Sequence, residues 1–122
     1  MFSKIFLEHF KNPKNVGELE NPDGVSKTEF QGEGCLDRIT FYIKVEKDKI
    51  KDAKYRVRAC SGTIASTSFL SEKIKNKPLK EVLKLTSENI IEELRLPKGK
   101  HHSADLAIEA LRRAIENFKK RD

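Results

Sequence analysis

Three short segments of the 122-residue chain hold side chains suited to binding a metal. The first contains Cys35 and Asp37, the second contains Cys60, and the third contains the adjacent His101 and His102. Thiol, carboxylate and imidazole groups together form tetrahedral zinc sites and can also hold iron in a mixed-ligand cluster. No CxxC pair, P-loop, GxGxxG or nucleophile elbow accompanies them. The segments therefore indicate metal or cluster binding, although their spacing matches no fixed short motif.

Each segment also has a simpler structural explanation. Cys35 and Asp37 follow two glycines, which favour a turn, and a lone cysteine such as Cys60 is commonly a small buried hydrophobic residue. Cys60, however, directly precedes a helical pattern, and the positive end of a helix dipole favours a thiolate. The same effect keeps the imidazoles of His101 and His102 neutral and able to bind a metal. All three segments lie where elements begin or end, so we expect them to converge.

Composition restricts the class of protein. Residues 1–122 are the size of one ordinary domain, and two cysteines without a signal-like leader indicate a reduced, intracellular protein, which we expect in the cytoplasm. No apolar run reaches membrane-spanning length. The 25 Lys and Arg exceed the 19 Asp and Glu, giving a net charge of +6. These cations are spread along the chain without a basic stripe or an aromatic platform, which argues against nucleic-acid binding.

The elements that must position these residues follow from hydrophobic periodicity. Apolar residues at helical spacing predict a first helix over residues 2–10, ended by Asn12-Pro13. Alternation from Ile39 to Val45 and from Ala53 to Ala59 predicts a hairpin, and residues 25–31 supply a third strand. Helical patterns then run from Cys60 towards Asn76, after Pro78, after Thr86 or Ser87, and after Ser103 as the cap of the last helix. The order predicts an α+β fold: a three-stranded antiparallel sheet with helices on one face.

Four stretches carry a resemblance to a known family. They are residues 9–17 (HFKNPKNVG), residues 35–37 (CLD), residues 60–68 (CSGTIASTS), and Leu96-Pro97 through His101-His102-Ser103, continued by residues 108–111 (IEAL). Over nearly its full length the chain resembles the U-type iron–sulfur cluster assembly scaffolds, IscU and the N-terminal part of NifU. The opening HxxNPxNVG-like stretch and the C-x-IAS-x-S-like stretch are together specific to that family.

The resemblance implies a non-enzymatic scaffold that binds a labile [2Fe–2S] cluster. The cluster would be built from iron and from sulfur supplied by a cysteine desulfurase, and then passed to acceptor apo-proteins. The family's ligands map onto Cys35, Asp37, Cys60 and His101, with the aspartate linked to cluster release. The alternative that we keep open is a zinc-binding regulatory or interaction protein on the same fold.

Two departures from the family pattern stand out. The family pattern ends in His-Cys, whereas the chain reads His101-His102, so the third cysteine is absent. His102 either binds in its place or only fills space, and we expect one histidine of the pair to be a ligand. Imidazole in place of thiolate makes a cluster less negative and raises its potential. Residues 96–100 (LPKGK) match the family's chaperone-recognition segment only in part, which argues against a dedicated Hsp70-type partner.

Overall fold

The computed structural model describes residues 2–32 and 35–121, and of Cys35 it describes the backbone alone. Five helices and three strands are present in these residues: α1 (Lys4–Lys11), β1 (Gly24–Gly32), β2 (Cys35–Glu46), β3 (Lys49–Arg58), α2 (Ser61–Lys73), α3 (Leu79–Val82), α4 (Ser87–Leu94) and α5 (His101–Lys120). The predicted α+β class with a three-stranded sheet is confirmed.

The sheet is antiparallel in the order β1-β2-β3. Its register pairs Phe30 with Asp37 and Ile39 with Val57. Ile39, Phe41 and Ile43 are at most 1 % exposed, whereas the alternate residues of β2 face solvent more. One face of the sheet is therefore buried beneath the helices, as the period-two pattern predicts.

Helix α5 lies close over β1 and β2 because the buried face of β1 carries small or hydroxylated residues. A Cβ built on Gly24 would lie 2.2 Å from the carbonyl oxygen of Ala114, so a side chain there would push α5 away. Ser26 Oγ donates a 2.6 Å hydrogen bond to the carbonyl of Ala110. These contacts fix the height of α5 above the sheet and hence the position of its first turn.

Helix α2 is buried almost throughout and carries the serines that hold the N-terminal segment. Ser68 Oγ lies 2.7 Å from His9 Nδ1 and accepts the backbone N–H of Lys14. The side-chain amide of Asn15 donates to Ser71 Oγ. The two most specific stretches of the resemblance therefore pack against each other, and they orient α1 and the following loop on α2.

The start of α5 differs from the prediction that Ser103 caps it. A 3₁₀ turn at Lys98–Lys100, begun after Pro97, runs directly into α5, so the helix starts at His101 and Ser103 lies in its first turn. The Ser103 hydroxyl is fully buried and bonds with Thr63 of α2 instead of a free backbone N–H. The first helix also starts later than predicted, at Lys4, because Ser3 caps it by accepting the N–H of Phe6. No helix in the described part of the chain is both long and apolar enough to cross a bilayer.

Candidate metal centre

The first residues of β2, the β3–α2 junction and the first turn of α5 meet at one end of the sheet. There they bring together Asp37, Cys60 and His102, whose potential ligand atoms all lie within 4.8 Å of one another. Among the described side chains this is the group of three or more Cys, His, Asp and Glu residues that satisfies that distance. The arrangement joins one thiol, one carboxylate and one imidazole.

Asp37 is the buried member of the group and is 1 % exposed. Its Oδ1 accepts the backbone N–H of Cys60 at 3.2 Å, and its Oδ2 accepts the hydroxyl of Thr63 at 2.7 Å. The carboxylate therefore sits at the N-terminus of α2, where the helix dipole and the free N–H groups stabilise a negative charge. Burial of this polar group is compensated by its hydrogen bonds.

Cys60 is the N-cap residue of α2, and its extended backbone (φ −72°, ψ 169°) ends the strand segment and begins the helix. Its thiol is free and partly exposed. The sulfur lies 3.6 Å from Asp37 Oδ2, 3.8 Å from Thr63 Oγ1 and 3.7 Å from Ser103 Oγ. Oxygen atoms thus line the protein side of the sulfur, and Cys60 as a whole is partly exposed.

His102 directs a nitrogen into the group. Its Nε2 lies 3.5 Å from Asp37 Oδ2, and it is buried without a hydrogen-bond partner among the described residues. The imidazole stacks on Phe30 of β1, with ring centroids 4.5 Å apart and planes inclined by 22°. A buried nitrogen without a partner costs free energy, so its presence beside a thiol and a carboxylate points to a bound group.

His101, by contrast, is turned away from the group. Its Nε2 lies 3.2 Å from the carbonyl oxygen of Leu96, five residues earlier. Adjacent residues on a helix point about 100° apart, so α5 cannot direct both imidazoles to one centre. The geometry therefore brings His102, and not His101, together with Asp37 and Cys60, while the role of either histidine as a ligand stays a prediction. The residue that follows the site histidine is then Ser103, whose hydroxyl faces the Cys60 sulfur.

Cys35 stands at the start of β2, opposite Gly32 of β1 and two residues before Asp37. Its backbone lies at the same end of the sheet as the group. The side chain of Cys35 lies outside the described residues, so its predicted role as a ligand stays a prediction.

Comparison with known proteins shows the family to which this chain belongs. The family profile described as "NifU-like N terminal domain" matches residues 1–122. The chain belongs to this family. The "Iron-sulfur cluster assembly scaffold protein IscU 1" of Archaeoglobus fulgidus is 41 % identical over 119 residues, covering 97 % of this chain and 76 % of the relative. The corresponding IscU protein of Aquifex aeolicus is 39 % identical over 120 residues, covering 96 % of this chain and 75 % of the relative.

A solved structure supports the fold. The N-terminal part of a NifU-like protein from Brucella abortus superimposes with a TM-score of 0.77, covering 98 % of this chain and 95 % of that one. Its sequence is only 21 % identical, so this likeness concerns the fold alone. The predicted family and fold class are both confirmed.

The donor set of this NifU-like domain fits a metal or an iron–sulfur cluster. Thiolate and imidazole suit iron and zinc, and a carboxylate adds a harder, more weakly held ligand for the same ions. The unpartnered Nε2 of His102 is the observation on which this fit rests. Cys60 beside it is partly exposed, so the group of donors is not sealed from solvent.

Sequence reasoning missed three residues of this NifU-like domain that line the group: Phe30, Thr63 and Ser103. Thr63 follows Cys60 by three residues, which places both on one face of α2, and this spacing could have revealed it. Ser103 was interpreted as a helix cap. Phe30 gave no signal, because its contact with His102 joins residues 72 positions apart in sequence.

Proposed function

We propose that this protein is an iron–sulfur cluster assembly scaffold, which holds a labile cluster as cargo and passes it to other proteins. The proposal rests on the convergence of Asp37, Cys60 and His102, with an unpartnered imidazole nitrogen beside a free thiol. Relatives about 40 % identical over nearly the whole chain bear the name of such a scaffold, which supports the same function.

Each donor has a distinct role in this proposal. The Cys60 thiolate and the His102 imidazole bind iron. Cys35, whose backbone begins β2, supplies a second thiolate. Asp37 is the labile ligand, because a hard carboxylate oxygen holds iron less firmly than sulfur does in a sulfide-rich cluster. We take the cargo to be a [2Fe–2S] cluster, whose two irons match this small number of donors.

The proposed partners follow from the chemistry of assembly. Sulfur must reach the site in activated form, which a cysteine desulfurase supplies, and the finished cluster must be taken up by acceptor apo-proteins. The chain itself binds, orients and releases the cargo, so we propose a carrier rather than an enzyme. A cytoplasmic location stays a prediction.

The alternative of a zinc-binding regulatory protein rests only on donors that would also fit tetrahedral zinc. The names of the relatives support the scaffold and not this alternative. The two functions differ in turnover, because a zinc site retains its ion whereas a scaffold gives up iron together with sulfide.

The experiment that tests the proposal is oxygen-free assembly on the purified protein, with ferrous iron, cysteine, a cysteine desulfurase and dithiothreitol, the reductant that converts the delivered sulfane sulfur to sulfide. We expect iron and acid-labile sulfide in equal amounts, followed by transfer of both to an apo-ferredoxin within minutes. Cys60→Ser should lose most of the cluster. Retention of zinc alone under these conditions, or a cluster equally well held by Cys60→Ser, would contradict the proposal.

A further inference from the structure

Two buried hydroxyl groups connect the candidate site to the interior. Thr63 and Ser103 are both 0 % exposed and lie on α2 and α5, respectively. Thr63 Oγ1 lies 2.7 Å from Asp37 Oδ2 and 3.0 Å from Ser103 Oγ. Neither hydroxyl belongs to the proposed donor set, and both contact the carboxylate or the sulfur of that set.

The two hydroxyls form a chain with one direction. A carboxylate can only accept, so the single hydroxyl proton of Thr63 is donated to Asp37 Oδ2. The 3.0 Å contact between the hydroxyls then requires that Ser103 donates to Thr63. Ser103 → Thr63 → Asp37 is thus a polarised chain that ends on Asp37 Oδ2, the same oxygen that faces His102 Nε2 and the Cys60 sulfur.

A glycine at the contact between α2 and α5 allows the Ser103 and Thr63 hydroxyls to approach each other. Gly62 lies between the first turns of α2 and α5, and a Cβ on it would lie 2.7 Å from Ser103 Oγ and 3.1 Å from the Lys100 side chain. A side chain at position 62 would therefore displace the Ser103 hydroxyl or the Lys100 side chain from its present position. The absence of a side chain at Gly62 therefore permits the close approach that brings the Ser103 hydroxyl to Thr63.

We infer that Thr63, supported by Ser103, is a positioning residue that fixes the Asp37 carboxylate for metal binding. Thr63 donates to Oδ2 and the Cys60 N–H donates to Oδ1, so rotation of the carboxylate would break both hydrogen bonds. Hydrogen bonds to a ligand from the surrounding residues typically change metal affinity 10- to 100-fold. The inference rests on the proposed function only in that Asp37 binds a metal there.

The experiment compares Thr63→Val, Thr63→Ser and the wild type, with Thr67→Val as matched control. Thr67 is equally buried one turn along α2, and its hydroxyl donates to the carbonyl of Thr63 instead of to Asp37. Zn²⁺ alone is the probe, titrated by calorimetry in oxygen-free buffer. A metal-free measurement, hydrogen exchange of the Cys60 amide, reports whether Asp37 still accepts from it.

We expect Thr63→Val to weaken Zn²⁺ binding about tenfold and to speed exchange of the Cys60 amide beyond any change shared by the whole chain. Thr63→Ser should restore both, and Thr67→Val should change neither. Equal affinity and exchange in Thr63→Val and the wild type would overturn the inference, as would failure of Thr63→Ser to restore them.

Two comparisons separate this inference from the proposed function. Metal binding by the wild type tests the proposed function, and the difference between the wild type and Thr63→Val tests the positioning role. If the wild type bound neither Zn²⁺ nor a cluster, the proposed function and the role of Thr63 in metal binding would both be overturned. If the wild type bound Zn²⁺ while Thr63→Val behaved identically in both measurements, the positioning role alone would be overturned.

Discussion

Phe30 and His102 stack face to face, with ring centroids 4.5 Å apart and planes inclined by 22°. Phe30 is also the register partner of Asp37 across β1 and β2, so one strand pair sets both the carboxylate and the surface against which the imidazole rests. A Cβ on Gly32 would lie only 3.1 Å from the Phe30 ring, so the absence of a side chain at Gly32 leaves room for that ring. The orientation of His102 Nε2 therefore depends on β1 as well as on α5.

Replacing Phe30 should remove the ring against which the His102 imidazole stacks and so weaken metal binding. An aromatic pair contributes about 0.5–1.5 kcal/mol beyond its buried area, so Phe30→Leu should weaken Zn²⁺ binding roughly 2- to 10-fold by that energy. Phe30→Tyr should retain wild-type affinity because it keeps the ring. Phe10→Leu, at an exposed phenylalanine of α1, is the control. Calorimetric titration of all four proteins provides the test, and wild-type affinity in Phe30→Leu would contradict it.

Asp37→Ala should lower the stability of the metal-free protein and lengthen the lifetime of the bound cluster. The substitution leaves the Cys60 N–H and the Thr63 hydroxyl without their acceptor, which should cost about 1–3 kcal/mol of unfolding free energy in the metal-free protein. The bound cluster, without its labile ligand, should persist longer and reach an apo-ferredoxin more slowly. Urea unfolding measures the first effect, and the decay and transfer of cluster absorbance measure the second. Transfer at the wild-type rate would count against Asp37 as the release ligand.

The residue that stands where a further thiol would bind is Ser103. If His102 stood in the place of the family's third cysteine, His102→Cys would rebuild the His-Cys pair and strengthen cluster retention. Because His102 itself enters the site and the Ser103 hydroxyl lies 3.7 Å from the Cys60 sulfur, the rebuilding substitution should be Ser103→Cys. Under oxygen-free assembly we expect a longer-lived cluster in Ser103→Cys and a weaker one in His102→Cys. The reverse order would show that our mapping of these positions is wrong.

Folding stability should depend on the titration of His9. Burial lowers the pKa of His9 from 6.5 and outweighs the opposing charges of Glu72 and Glu8, while Lys14 lowers it further. The unfolded chain therefore takes up this proton first as the pH falls. Stability from His9 should be complete above about pH 7 and be lost as the pH drops through 6.5 towards the lower pKa of the folded state.

His9→Gln provides the control for this pH dependence, since it keeps a hydrogen-bonding group near Ser68 but does not titrate. The melting temperature of the wild type minus that of His9→Gln, measured from pH 8 to pH 5, should shrink as the pH falls. A constant difference would show that His9 does not control the pH dependence.

The fold was predictable from sequence because its signals are local. Alternation from Ile39 to Val45 reports one buried face directly, and Ile39 and Ile43 are indeed at most 1 % exposed. Helix starts were less predictable. Ser103 has the residue type of a cap, but it is buried against Thr63 because α5 begins two residues earlier.

The types of residue in the site were predictable from sequence, but the choice between the two histidines was not. Asp37 and Cys60 converge as expected from their positions at element ends. Which histidine joins them depends on the phase of α5 within one residue, and that phase is set by the preceding 3₁₀ turn and by the contact of Gly62 with Ser103. Such long-range packing leaves no trace in local sequence patterns.

The most direct test of the central claim is the cluster content of His101→Ala and His102→Ala after oxygen-free assembly with iron and sulfide. The two substitutions are chemically identical and one residue apart, and of the two imidazoles it is that of His102 that lies beside Asp37 and Cys60, whereas that of His101 contacts the Leu96 carbonyl. Iron and acid-labile sulfide per chain should match the wild type in His101→Ala and fall several-fold in His102→Ala. Equal cluster content in the two variants, or loss in His101→Ala alone, would contradict a cluster site formed by Asp37, Cys60 and His102.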